Sequence, residues 1–159
     1  MTDWARTLGF EVGSGTVTSV VSTVSLGLLA RAEGKGALQP VNATSHWLNG
    51  EQAGSFTGAE IAHTMVAYAT HHAATVFWAI LFERWIGSRR PLAPLPMLQH
   101  ALATSVAAAA VDYGATPRRF TPGWEFVLTK QSMAAAYGAM AVGLAVGALM
   151  TQRGPHARS

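Results

Sequence analysis

The sequence predicts an all-α, membrane-embedded four-helix bundle, and three observations predict it. Half of the 159 residues are apolar and only 12% are charged, about half the charged share of an ordinary soluble domain. Four apolar runs reach the roughly 20 residues that a helix needs to cross a bilayer, with charges at or beyond their ends. Two of those runs carry small residues at every fourth position, a spacing that keeps them on one helix stripe and lets two backbones approach closely.

The first run, residues 12–30, is rich in Ser and Thr and carries the ladder Gly15, Ser19, Thr23 and Gly27. Ala30-Arg31-Ala32 imitates a signal-peptidase site, but the hydroxyl-rich stretch before it reads as a retained helix. Residues 31–60 form a long polar loop. The second run, 61–83, holds "YATHHAATVFWAILFERW" and is apolar on nearly every side, which a soluble bundle helix is not. The short turn "RWIGSRRP" leads to the third run, 95–113, alanine-rich and opening at prolines. A second long loop, 114–131, precedes the fourth run, 132–150, with the ladder Ala135, Ala139, Gly143 and Gly147. The chain reads as one transmembrane domain over 1–159, with two extended extramembrane loops on one side.

Both termini and the short turn then share the other side. That side holds Arg6, Arg84, Arg89, Arg90, Arg153 and Arg158, against Arg31, Lys35, Arg118, Arg119 and Lys130 on the loop side. Positive charge in short loops is retained in the cytoplasm, so the termini are expected there. The external loops share the elements Gly-Ala, Pro, Thr and Trp in "GALQPVNATSHW" and "GATPRRFTPGW". Trp47 and Trp124 are expected at the water-lipid interface. His46 stands beside Trp47, and Arg118-Arg119 reads as a solvated pair that helps set topology.

The histidines are the main functional handle. Successive helix residues turn by 100°, so His71 and His72 face different neighbours. One face carries Tyr68, His72, Thr75 and Glu83 and is expected to point into the bundle, with His100, Thr104 and Ser105 of the third run as candidate partners. Polar groups in hydrocarbon face a bundle interior or cavity. Three readings follow from that face. The histidines hydrogen-bond across helices and hold the bundle together; or His72 and Glu83 carry protons or ions, with Asp112 or Tyr113 at the opposite mouth; or His72 and His100 bind haem or copper, despite differing in depth. Met97, Met133, Met140 and Met150 show no paired spacing that would suit Cu(I).

The remaining classes are poorly supported. The chain has no cysteine and hence no disulfide, thiolate nucleophile or thiolate-held metal. Its 11 basic and 8 acidic residues give a formal charge of +3, but the basic ones are scattered, so no nucleic-acid surface is expected. No phosphate loop, paired catalytic carboxylates or nucleophile elbow occurs. No cofactor and no metal site are expected. The expected partners are the lipid bilayer and either further copies of the chain or a larger membrane complex.

"PVNATSHWLNG", "THHAATVFWAILFE" and "VDYGATPRRFTPGWE" resemble the patterned segments of small, functionally unassigned four-span inner-membrane proteins of bacteria. The resemblance covers most of residues 36–150 and implies the architecture alone. The function expected is therefore that of a non-enzymatic small integral protein of the bacterial inner membrane, a helix-packing or assembly subunit. A small channel or proton-linked transporter is the alternative.

Overall fold

The computed structural model describes residues 3–89 and 91–152, whose regular structure is all helical. Arg90, Arg153 and Arg158 of the charge count lie outside the described residues, as does the side chain of Arg6. Four long helices make the bundle: α1 (Asp3–Ala32), α4 (Val66–Ile86), α5 (Pro94–Gly114) and α6 (Lys130–Gln152). Between α1 and α4 lie the short α2 (Gln39–Ala43) and α3 (His46–Asn49).

Local chemistry sets these boundaries. α1 ends at Gly34, whose φ of 74° is the left-handed conformation that glycine adopts without strain. A π-turn over Ile61–Met65 runs directly into α4. α5 opens with Pro94 in its first turn, where a missing N–H costs nothing. Glu33 caps α6 by accepting from the Thr129 hydroxyl at 2.7 Å and the Thr129 N–H at 3.1 Å. The Ser132 hydroxyl, then that of Thr129, hold the Glu33 carboxyl down at about 2.

On α1 the inward face is hydroxyl-rich and the outward face apolar. Ser14, Thr18, Ser19 and Ser22 of α1 are buried, while Val12, Val20, Val24 and Leu28 are exposed. The hydroxyls survive burial because several donate back along their own helix: Thr18 to the Ser14 carbonyl at 2.9 Å and Ser22 to that of Thr18 at 2.8 Å. Three helical stretches are long and apolar enough to cross a membrane, Leu8–Ala32, Ile61–Ile86 and Lys130–Thr151. The protein is membrane-embedded. The third run forms a helix of 21 residues that carries Gln99, His100, Thr104, Ser105 and Asp112 and is not among these three stretches.

α1 is the hub. It packs along α6 on one side and α4 on the other, α6 continues to α5, and α4 and α5 barely meet. A Cβ on Gly143 would lie 2.8 Å from the Thr18 Cα, and one on Gly147 2.9 Å from the Ser14 Cα. Gly15 stands equally close to the Val76 Cα of α4, at 2.6 Å. The two ladders therefore do not face each other throughout. Gly15 and Ser19 turn toward α4, Thr23 and Gly27 are half-buried, Ala139 is half-buried and Ala135 is exposed. Gly27 lies under the loop, 3.3 Å from the Ala37 carbonyl oxygen by the same measure.

The two long loops are folded. They pack together as a cap over one end of the bundle, built from α2, α3 and short 3-10 turns at Glu51–Ser55, Arg118–Phe120 and Trp124–Phe126. Fully buried Asn42 organises the first loop: its Nδ2 donates to the Phe56 and Gly58 carbonyls, and its Oδ1 accepts from the Thr64 hydroxyl at 2.7 Å. His46 joins the two loops, with its ring nitrogens 3.0 Å from the Ala43 carbonyl and 3.1 Å from that of Arg118. Lys35 donates to the Val127 carbonyl. The arginine pair is part of this joint rather than merely solvated. Arg118 pairs with Glu51 at 3.4 Å, and Arg119 donates to the Trp47 carbonyl at 3.1 Å.

Candidate functional site

Beneath the cap, on the side where α4 and α5 diverge, lies a cavity of about 410 Å³. α4 supplies Thr70, His71, Ala74, Thr75 and Trp78; α5 supplies Asp112; α6 supplies Tyr137 and Met140. α1 adds Ser22, and the cap closes the space with Thr44, Trp47, Phe120, Thr121, Pro122 and Trp124. A second, shallower groove between α4 and α5 is lined by Trp78, Leu81, Phe82, Trp85, Ala103, Thr104 and Ala107. Trp78 belongs to both, so it stands between the cavity and the outer face of the bundle.

Two polar pairs sit in the cavity wall. The first is His71 and Ser22, 2.9 Å apart. The Ser22 hydrogen is assigned to the Thr18 carbonyl at 2.8 Å, nearer than that of Ser19 at 3.2 Å, which makes His71 Nε2 the donor in this pair. The second is Asp112 and Tyr137, whose hydroxyl donates to the carboxylate at 2.6 Å. Beside it, Tyr113 donates to Glu125 at 3.1 Å and Thr121 donates to the same carboxylate at 2.5 Å. Trp124 is the floor of the cap: its ring packs on Tyr137 at 5.3 Å and on His71 at 6.0 Å. It is 4% exposed and packs inward beneath the cap, whereas Trp47 is half-buried and donates to Thr70 at 3.3 Å.

The expected histidine face is also corrected. His71, not His72, turns to the interior, and its partner comes from α1 rather than from the third run. The reason is the line Ala67, His71, Thr75, Ala79, buried at every fourth position, a small-residue stripe that lets α4 lie close to α1. His72 is half-buried, stacks on Tyr68 at 6.0 Å and leaves its enclosed Nδ1 without a hydrogen-bond partner. Glu83 is buried on the inner face, but twelve residues beyond His71, about 18 Å along the helix, with fully buried Ala79 and Phe82 between. At that far end Arg84 donates to the buried Glu11 at 3.2 Å.

On α5, His100 stays within its own turn and neighbourhood, 2.8 Å from the Pro96 carbonyl and 5.1 Å from the Trp85 ring centroid. Thr104 donates to the His100 carbonyl, and Ser105 is buried without a partner. Neither His72 nor His71 meets His100, and among the described residues no three His, Asp or Glu side chains gather as metal ligands. Trp78 falls within about 20° of His71 on the helix, whereas Ser22 and Tyr137 were not singled out from the sequence. Their helical spacing carried no signal distinguishing them from other polar or aromatic interior residues. The chain matches no family model, no curated protein and no solved structure.

Proposed function

We propose that the chain is a non-enzymatic, four-span protein of the bacterial inner membrane that binds a small amphipathic molecule beneath its cap. The observation that carries this reading is the cavity of about 410 Å³. Its size lies within the roughly 300–1,000 Å³ range of small-molecule sites, and an apolar wall with a few convergent polar groups is their usual construction. Its His71–Ser22 and Asp112–Tyr137 pairs orient a ligand; Ser22 and His71 stand at the spacing of a nucleophile and a base, but with the Ser22 hydrogen turned to the Thr18 carbonyl the contact serves to join two helices.

The outward face of α5 supports the fourth pass. Leu95, Leu98, Leu102, Val106 and Val111 are exposed while Thr104 and Ser105 turn inward, which suits lipid outside and protein inside. With four passes the cavity opens sideways past Trp78 toward the bilayer, the natural source of an amphipathic ligand. Arg84 and Arg89, flanking the short turn, favour cytoplasmic termini. A thiol introduced at Asn49 then labels from outside and one at Gly87 does not; equal labelling of both would defeat the single orientation. The proton-path reading draws less support, because Ala79 and Phe82 separate His71 from Glu83. Self-association gains none from the ladders, since Gly15, Gly143 and Gly147 are taken up by contacts within one chain.

Binding is tested by isothermal titration of the protein in zwitterionic lipid nanodiscs, with protein-free discs subtracted. Three probes of one shape serve: 1-naphthylmethylamine, 1-naphthalenemethanol and 1-naphthoic acid. Wild type binds at least one of them, and Ala74→Phe, which fills the cavity from α4, binds none. Identical titrations for the two proteins would overturn the reading.

A further inference from the structure

We infer that the occupant of the cavity is an apolar organic amine in its protonated form; the inference rests on the binding reading above and names its ligand class. Charge is the first ground. Among the described residues Asp112 is the only carboxylate in the cavity wall, and no Lys or Arg lines it. The Tyr137 hydroxyl occupies one of the two carboxylate oxygens at 2.6 Å. The other oxygen is left for a ligand N–H, and a charge-assisted hydrogen bond of that kind is among the stronger ones.

Ring surface is the second ground. Trp47, Trp78, Phe120, Trp124 and Tyr137 all line the same space. Aromatic faces are electron-rich and attract a cation, most of all one that carries little water with it. An alkylated or aryl ammonium meets that condition, whereas a hydrated metal ion does not, and no triad of metal-ligating side chains is present among the described residues.

The balance of donors and acceptors is the third. The donors of the wall are already engaged: the hydroxyls of Ser22 with Thr18, Thr44 with Pro40, Thr70 with Val66, Thr75 with His72, Thr121 with Glu125 and Tyr137 with Asp112, and the Trp47 N–H with Thr70. His71 spends its Nε2 hydrogen on Ser22, and a neutral ring has no second N–H to offer. Trp124 keeps an unpartnered N–H, but that atom is enclosed away from the cavity surface. The wall therefore presents acceptors and π-faces, which an anion or a carbonyl-rich ligand cannot use and an ammonium can.

The same three naphthalene probes decide the class at pH 7, where an aliphatic amine is protonated. The amine binds wild type about ten-fold or more tightly than the alcohol, and the acid binds least. Asp112→Asn keeps an oxygen to accept from Tyr137 but loses the charge, so it weakens the amine far more than the alcohol and brings the amine-to-alcohol ratio close to one. If the alcohol or the acid matches the amine on wild type, the amine class is overturned while binding stands. If Asp112→Asn retains the ten-fold preference, the assignment to this cavity is overturned. If no probe distinguishes wild type from Ala74→Phe, both readings fall. Should Asp112→Asn not reconstitute, the wild-type ranking alone supports or overturns the proposal.

Discussion

The two lateral seams of this bundle are built from opposite materials. Along α1 and α6, Thr18 lies over Gly143 and Ser14 over Gly147, so close that neither glycine has room for a Cβ. Along α4 and α5 the residues are Trp78, Leu81, Phe82 and Trp85 facing Ala103, Thr104 and Ala107, and the helices leave a groove. In lipid there is no hydrophobic drive to close either seam, and close packing itself supplies the attraction. Small side chains therefore make the closed seam, and bulky ones line the open one, where the proposed ligand would enter.

The largest expected effect tests the closed seam. Gly143→Ile and Gly147→Ile force α1 and α6 apart and lower stability in detergent by about 2 to 3 kcal/mol or more, as overpacking does. Val142→Ile, on an exposed position beside them, changes it by less than about 0.5 kcal/mol. Equal tolerance of the three substitutions in a thermal-unfolding series would remove the distinction between seams.

The next effect tests the polar joint between the closed half and the cavity. His71→Leu leaves the Ser22 oxygen without its donor and costs about 1 to 2 kcal/mol, the scale of interhelical hydrogen bonds in membranes. His71→Gln, which restores a donor at similar volume, recovers most of it. His72→Leu costs less than His71→Leu, since His72 makes no hydrogen bond to another helix. A ranking with His72 the more sensitive would return the inward face to the stripe expected from sequence.

That stripe shows how far the sequence could be read. The four long helices were legible because the length and apolarity of a run are local properties, and α1, α4, α5 and α6 fall within a few residues of the expected spans, except that α1 begins nearer the N-terminus. The inward side of α4 was half legible. Aligning His72 with Glu83 by angle selected one stripe, while the period-four line Ala67, His71, Thr75, Ala79 was the same kind of signal already used on α1 and α6. The cap was not legible. Its order comes from single long-range bonds, such as Asn42 to Gly58 and His46 to Arg118, which leave no periodicity. The Asp112–Tyr137 pair joins α5 to α6 across the second loop, and it was hidden for the same reason.

A smaller effect tests the open seam. Ala107→Leu adds volume where the groove has space, so stability changes by less than about 0.5 kcal/mol. Ligand entry slows, because the added side chain stands beside Trp78. The rates of association of 1-naphthylmethylamine with wild type and with Ala107→Leu measure this. A loss of stability as large as that of Gly143→Ile would mean that α4 and α5 are packed as tightly as α1 and α6, and the contrast between the seams would disappear.

The smallest effect lies at the capped end of the closed seam, where Glu33, just beyond α1, holds the first turn of α6. Its carboxyl is brought down to about 2 by the Ser132 and Thr129 hydroxyls, below the 4.5 of an unperturbed glutamate. A group whose folded value is depressed stabilises fully above its unfolded value and loses that stabilisation as pH falls through the folded one. The contribution is therefore complete above about pH 5, declines between 4.5 and 2, and is gone below. Because Glu33 is only partly buried, at the solvent-facing end of the bundle, the shift in Tm is small. Glu33→Gln keeps an oxygen to accept from Thr129 but loses the charge that favours a helix N-terminus, so its Tm lies slightly below that of wild type at pH 6. The two values converge as pH approaches 2. A gap that stays constant from pH 6 to pH 2 would show that the carboxylate contributes nothing as an anion, and would leave the α1–α6 seam held by its glycines alone.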